Sequence, residues 1–325
     1  MAVIKKKLIF GLIFALVFAL VINMPFMTSN YILRVCNIMM ITYMCVLSLF
    51  VLNGMCGQSS FAQAGFWGVG AYITAISTVK GGLPSIVAMV LSILGTALLA
   101  FILGFPLFRL KRYYFTFSTV GVVMILNGLF LNWTPVTGGA MGMANIPAFN
   151  IGSLIVKTET NNYYFILFIT VVVSSIIWIL YKSALGRSFM AIRDNEIAAN
   201  CMGINSLLTK NTAFAISGAL CGISGSLFAF LAGYLSSTTF SYSQSTMYLV
   251  MLMVGGSSTP VGSIVGTTLL SILPELFRPL QDYMMLIYGV GVMILMIVLP
   301  EGLVGGGKKL YEKLTRRKKT SDIPK

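Results

Sequence analysis

Histidine is missing from the 325 residues, and only eight side chains carry a carboxylate. Acid/base chemistry near neutral pH is built chiefly from those two groups, so an enzyme reading lacks its parts. The acidic residues are Glu159, Asp194, Glu196, Glu275, Asp282, Glu301, Glu312 and Asp322, and all fall in loops or at the ends of apolar runs. None sits where an ion-coupled carrier would keep an intramembrane carboxylate, which leaves that class only coupling through backbone carbonyls. The five cysteines, Cys36, Cys45, Cys56, Cys201 and Cys221, follow no metal-ligand spacing. With no histidine to complete a site, free thiols are expected and a metal centre is not.

What the chain does hold is apolar: 57% hydrophobic residues against 9% charged, with a mean hydropathy of +0.91. Soluble domains do not reach these values. The apolar runs continue without the ten-residue alternation of a membrane β-barrel, so the expected class is an all-α, polytopic membrane protein. A net charge of +14 would suit nucleic acid until the cations are placed. With the amino end inside, 18 of the 22 lysines and arginines fall on one side, leaving only Arg34, Lys80, Lys157 and Arg278 opposite. That is the positive-inside asymmetry; it puts both termini in the cytoplasm of a bacterial plasma membrane and calls for no nucleic acid. Residues 8–21 have the basic start and apolar core of a signal peptide, but no small-x-small cleavage site follows, so this run is expected to remain as the first span.

A second run covers 33–52. Residues 53–72 then carry Gln58, Ser59, Ser60 and Gln63, uncharged polar groups at membrane depth, and Gly54 and Gly57, which weaken a helix. A broken or re-entrant segment is expected there, either lining a substrate path or serving as a packing seam. Further spans are expected at 83–108, 113–133, 163–181 and 207–234, the last with Gly218, Gly222 and Gly225 on one close-packing face. Two pieces at 246–254 and 261–273 are each too short to cross straight, and Gly255, Gly256, Pro260 and Gly262 mark the break between them. A last crossing covers 284–299. The total is about ten spans, or eight to nine if short pieces are re-entrant. All belong to one permease domain over 1–325, with the bundle at 8–303, a cytoplasmic loop at 182–210 and a basic tail at 304–325. The long outside segment 134–162 contains Thr137, Gly138, Gly139 and Gly142. Without a preceding strand and following helix this is no phosphate loop; it is a lip for a partner or a compact turn. Gly302 to Lys308 comes within one residue of a nucleotide-binding P-loop, but Lys309 stands where magnesium needs a hydroxyl, so ATP is not expected on this chain.

The loop at 182–210 is the largest polar interruption. Asp194 or Asn195 can cap a helix start, Glu196 complements the dipole, and Gly203 can end the helix after about two turns. Ile197, Ala198, Cys201 and Met202 share one side of it, with Asn195, Glu196 and Asn200 left for water or a partner. By periodicity alone this is either a docking helix or an amphipathic loop on the membrane surface.

Here the residues resemble a family. Arg193, Asp194, Glu196, Ala198, Ala199 and Gly203, within the string Gly186-Arg187 to Gly203-Ile204-Asn205, are similar to the cytoplasmic loop of LivM-type permeases of branched-chain amino acid ABC importers. Gly57, Gln58, Ser60, Ala64 and Phe66 resemble another stretch of that family, although Gln63 stands where histidine is frequent. The Thr137–Pro147 loop looks like its Thr-Gly-Gly signature. Gly255, Gly256, Gly262 and Gly266 match a glycine motif in which Ser258 and Ser263 replace the expected Gly and Pro. The resemblance implies a type II ABC importer-like fold, Arg193 and Glu196 as polar contacts to an ATPase groove, and Gln58, Ser59, Ser60 and Gln63 along the path. It implies as partners a second, LivH-like permease, two ATPase subunits holding ATP and Mg, and an extracytoplasmic binding protein. The cargo would be leucine, isoleucine or valine, with urea or a short amide as the alternative.

Overall fold

The computed structural model describes residues 23–25, 28–110, 112–151, 154–156, 158–276, 289–290, 293 and 302–306. The expected first span at 8–21 lies outside these residues, as do nearly all of the last crossing at 284–299 and of the basic tail.

The described chain is helical. In order it forms α1 (Asn30–Leu49), α2 (Gln63–Val79), α3 (Ser85–Leu107), α4 (Arg112–Asn132) and α5 (Glu159–Lys182). Then come α6 (Ala184–Asp194), α7 (Glu196–Cys201), α8 (Ser206–Ala232), α9 (Tyr242–Gly255) and α10 (Pro260–Leu276). A pair of two-residue antiparallel strands, Asn150–Ile151 and Leu154–Ile155, stiffens the loop before α5.

Five helices are long and apolar enough to cross a membrane: Asn30–Met55, Ser85–Leu107, Tyr113–Asn132, Glu159–Lys182 and Ser206–Ala232. The pair α9 and α10, bent by 116°, raises the number to six if taken as one broken span. The described residues therefore carry five or six such spans, not the expected ten. Two of the expected runs fall outside them, and α2 has only 17 residues, about 25 Å, short of a straight crossing.

Burial follows the logic of a lipid solvent. α1 and α8 form the centre, while α3, α4 and α5 turn apolar side chains such as Leu94, Leu98, Ile125, Phe168 and Ile179 outward. Leucine gains nothing by leaving lipid for protein, so the contacts inside are made by small residues that bring backbones close. α8 crosses α3 and α2 along Gly218, Gly222 and Gly225. A methyl on Gly222 would stand 2.9 Å from the Ser92 carbonyl, and one on Gly225 only 2.6 Å from the Ala71 nitrogen. Ser92 Oγ sits at this crossing, 2.9 Å from both the Gly70 and the Gly222 carbonyl.

At one end of the bundle Arg34 pairs with Glu159 at 3.5 Å, joining the starts of α1 and α5, and Tyr31 Oη donates to Glu275 at 2.8 Å, bringing the far end of α10 beside them. The opposite end carries Arg109, Lys182, Arg187, Arg193 and Lys210.

Candidate functional site

The polar loop at 182–210 folds into two helices, not one. Ser183 Oγ accepts the Gly186 N–H at 3.2 Å and starts α6, which buries Phe189 and Ile192. The spacing of that pair was the legible sign of a helix the sequence reading lacks. Asn195 ends α6 and caps α7, its Oδ1 accepting from Ile197 N at 3.0 Å and Ala198 N at 3.1 Å. Gly203, at φ +85°, follows the stop. Within α7 only Ala199 is buried; Ala198 is exposed, and Ile197 (77%) and Met202 (83%) stand out from the end of the bundle. Among the described residues this apolar pair covers nothing.

Two charged residues of the loop, Arg193 and Glu196, reach back to the bundle, while Lys182, Arg187 and Asp194 stay exposed. Glu196 pairs with Lys210 of α8 at 2.5 Å, and Lys210 is only 8% exposed. Arg193 Nε reaches Asp194 at 3.1 Å, while its Nη1 donates to the Gly54 carbonyl at 2.7 Å. That acceptor exists because α1 does not end as an α-helix. It passes into a π-helical turn, Phe50–Met55, and then breaks. The Leu52 and Asn53 carbonyls are taken by Gln58 N and Gly57 N, and Arg193 satisfies Gly54. Gly57, at φ +71°, lets the guanidinium stem pass: a methyl there would lie 2.8 Å from Arg193 Cγ.

The second helix break meets the first. A methyl on Gly54 would be 2.5 Å from the Ser257 carbonyl, in the bend between α9 and α10. Gly255 ends α9, Gly256 turns at φ +106°, Pro260 opens α10, and Gly262 packs backbone to backbone on Gly255 and Gly256. Ser263, in place of the family's proline, donates to the Pro260 carbonyl at 2.6 Å, so the bend forms without that proline.

Four polar groups were expected along a path, and two of them serve the break. Ser59 Oγ accepts from Asn53 Nδ2 at 2.9 Å and Ser60 Oγ accepts from Ala62 N at 3.1 Å. Gln58 is buried beside them. Gln63 is different: it is 1% exposed, and neither its Oε1 nor its Nε2 has a hydrogen-bond partner among the described residues.

On the other side of the bundle Thr137 Oγ1 donates within reach of the Phe130 and Trp133 carbonyls (2.8 and 2.9 Å) and fixes the turn through Gly138, Gly139 and Gly142, all at positive φ. The loop is compact and also projects, with Met141 88% exposed at its tip. Met143 and Leu235 exchange both backbone hydrogen bonds, and Tyr234 Oη donates to the Met141 carbonyl at 2.8 Å.

The arrangement is a helical membrane bundle with paired helix breaks, tied to a polar loop whose short helix shows an apolar knob. The family profile described as branched-chain amino acid transport system, permease component, matches residues 31–299. The chain belongs to this permease family. It is 32% identical over 304 residues to the high-affinity branched-chain amino acid transport system permease protein LivM of Salmonella typhimurium, covering 86% of this chain and 71% of that protein. The Escherichia coli LivM is 31% identical over the same length and shares. An autoinducer 2 import system permease protein, LsrC of Salmonella typhi, is 25% identical over 159 residues, covering 47% of this chain and 44% of its own. No solved structure matches the chain at a significant level. As a permease of this family, the chain is a transport component and a multi-pass membrane protein, and the polar loop at 182–210 and both breaks lie inside the matched region.

Proposed function

We propose that this chain is the membrane-spanning permease subunit of an ABC importer, passing leucine, isoleucine and valine delivered by an extracytoplasmic binding protein. A second, LivH-like permease stands beside it, and two separate ATPase subunits hold the ATP and Mg. The chain forms one domain of about ten crossings, of type II importer-like architecture, with both termini in the cytoplasm.

The observation that carries this reading is the double character of α7. Ile197 and the capping Met202 face away from the bundle, while Glu196, with Arg193 at the end of α6, binds backward to α8 and to the first helix break. A surface loop lying on lipid needs no such ties. A lever does, because a push on the knob must move the breaks. On this reading Ile197 and Met202 enter the ATPase groove, and the roles expected of Arg193 and Glu196 as groove contacts pass to holding the lever.

Burying one Ile or Met side chain is worth about 1.5–3 kcal/mol. Ile197→Asp with Met202→Asp is therefore expected to weaken capture of the ATPase subunits by at least about a hundredfold, with insertion and the fold intact because both side chains are exposed. Normal co-purification of the ATPases with that double variant would refute the docking assignment.

A further inference from the structure

After α8 the chain does not leave the bundle. Gly233 ends the helix at φ +66°, and residues 234–241 turn back inside. Asn127 of α4 holds them there: its Nδ2 donates to the Ser237 carbonyl at 2.7 Å and to the Phe240 carbonyl at 3.1 Å. Phe240, fully buried, becomes the centre of a ring cluster. Its ring centroid lies 4.8 Å from Trp67, 5.8 Å from Tyr72, 6.0 Å from Phe130 and 6.1 Å from Phe228. Gly68 makes the seat, for a methyl there would stand 2.9 Å from Phe240 Cγ.

The cluster covers hydrogen-bonding groups that have no partner among the described residues: Trp67 Nε1, Tyr72 Oη and both amide atoms of Gln63. Gln63 lies one turn before Trp67 on the same face of α2, whereas Tyr72 lies on the opposite face from Gln63. Elsewhere among the described residues Thr74, Ser92, Thr96 and Thr170 return their hydroxyls to backbone carbonyls, while Asn211, Ser217, Ser226, Tyr248 and Thr267 are also buried without a partner. Orphan groups in an apolar interior are costly, and those of Gln63 and Trp67, on one face of α2 with the Phe240 ring against Trp67, point to a ligand that completes them.

We propose that Phe240 is an outer plug over a substrate chamber on α2, whose polar contacts are Gln63 and Trp67. The inference rests on the importer reading and deepens it. Its ligand is a net-neutral zwitterion with a hydrocarbon side chain: the indole N–H and the amide NH2 are donors for a carboxylate, the amide oxygen accepts from an ammonium, and the rings cover the hydrocarbon. The ligand carries no net charge for a charged side chain to balance, and its two ionic groups are met by these hydrogen bonds. The plug is connected to the outer surface through Leu235, five residues before it, which is hydrogen-bonded to Met143 beside the projecting Met141. A binding protein pressing on that lip thereby reaches Phe240.

The test uses the whole complex, both permeases and both ATPases, in vesicles preloaded with labelled leucine and sucrose, without ATP or binding protein. Wild-type vesicles are expected to retain both solutes, Phe240→Ala to lose leucine several-fold faster while keeping sucrose, and Phe240→Tyr to behave as wild type. Trp67→Phe, which keeps the ring and removes the N–H, is expected to stay tight yet to take up leucine about tenfold more slowly with ATP and loaded binding protein. Phe240→Leu provides the same leak readout if the alanine variant does not assemble. Assembled Phe240 variants that hold leucine as wild type does, or Trp67→Phe with normal uptake, would overturn the proposal. Wild-type vesicles that take up no leucine with ATP would refute the importer reading instead, a result the leak arms do not depend on.

Discussion

Replacing Arg193 by methionine keeps the side-chain stem that passes Gly57 and removes the donor to the Gly54 carbonyl. A hydrogen bond from a charged donor contributes about 1.5–3 kcal/mol. With the Arg193 side chain 35% exposed, water replaces part of it, so the lower figure, about 1.5 kcal/mol, applies. That corresponds to roughly a tenfold larger population in which α6 and α7 move while the break between α1 and α2 stays still. The measurement is the number of ATP molecules hydrolysed per leucine imported by the complex in vesicles. Hydrolysis is expected to persist, with transport per ATP falling about tenfold in Arg193→Met and less in Arg193→Lys, which keeps one donor. An unchanged ratio would refute the lever. So would uptake and hydrolysis falling in the same proportion with loss of assembled complex, because the contact would then serve folding alone.

The Glu196–Lys210 pair is unequal, with Lys210 almost wholly buried and the Glu196 side chain 44% exposed. Glu196→Gln strands a buried cation and is expected to cost about 2 kcal/mol, whereas Lys210→Met leaves an anion that water can reach and costs less; thermal midpoints of the purified complex give the order, and equal losses would contradict it. Gly222→Val places a branched side chain against Ser92 and Thr96 at the crossing of α8 with α3, and a loss of about 2–3 kcal/mol or failure to assemble is expected in the same assay. A reporter fused to the amino end is expected to resist external protease in intact cells, and digestion would reverse the assigned topology.

Much of the architecture could be read from residue order. The positions of α3, α4, α5 and α8 follow from uninterrupted apolar runs, because no other arrangement satisfies backbone polar groups in lipid. The bend between α9 and α10 follows from Gly255, Gly256 and Pro260, and the cap of α7 from Asn195. The roles of the polar groups were only partly legible. Gln58, Ser59, Ser60 and Gln63 look alike in one dimension, yet Ser59 and Ser60 close a helix break while both amide atoms of Gln63 are left without a partner among the described residues.

The roles of Arg193 and Glu196 show why. Their charge keeps the loop out of lipid, but which way a guanidinium turns depends on an acceptor 139 residues earlier, the Gly54 carbonyl freed by the π-helical turn. Phe240 and Trp67 likewise read as ordinary apolar residues until the chain after α8 folds back between α2 and α4. Hydropathy and charge settle what enters the membrane, since solvation acts on each residue where it stands. Partners far apart in the chain are chosen only when helices pack, and that packing, through the small-residue crossings of α8, decided which groups meet and which were left unpaired.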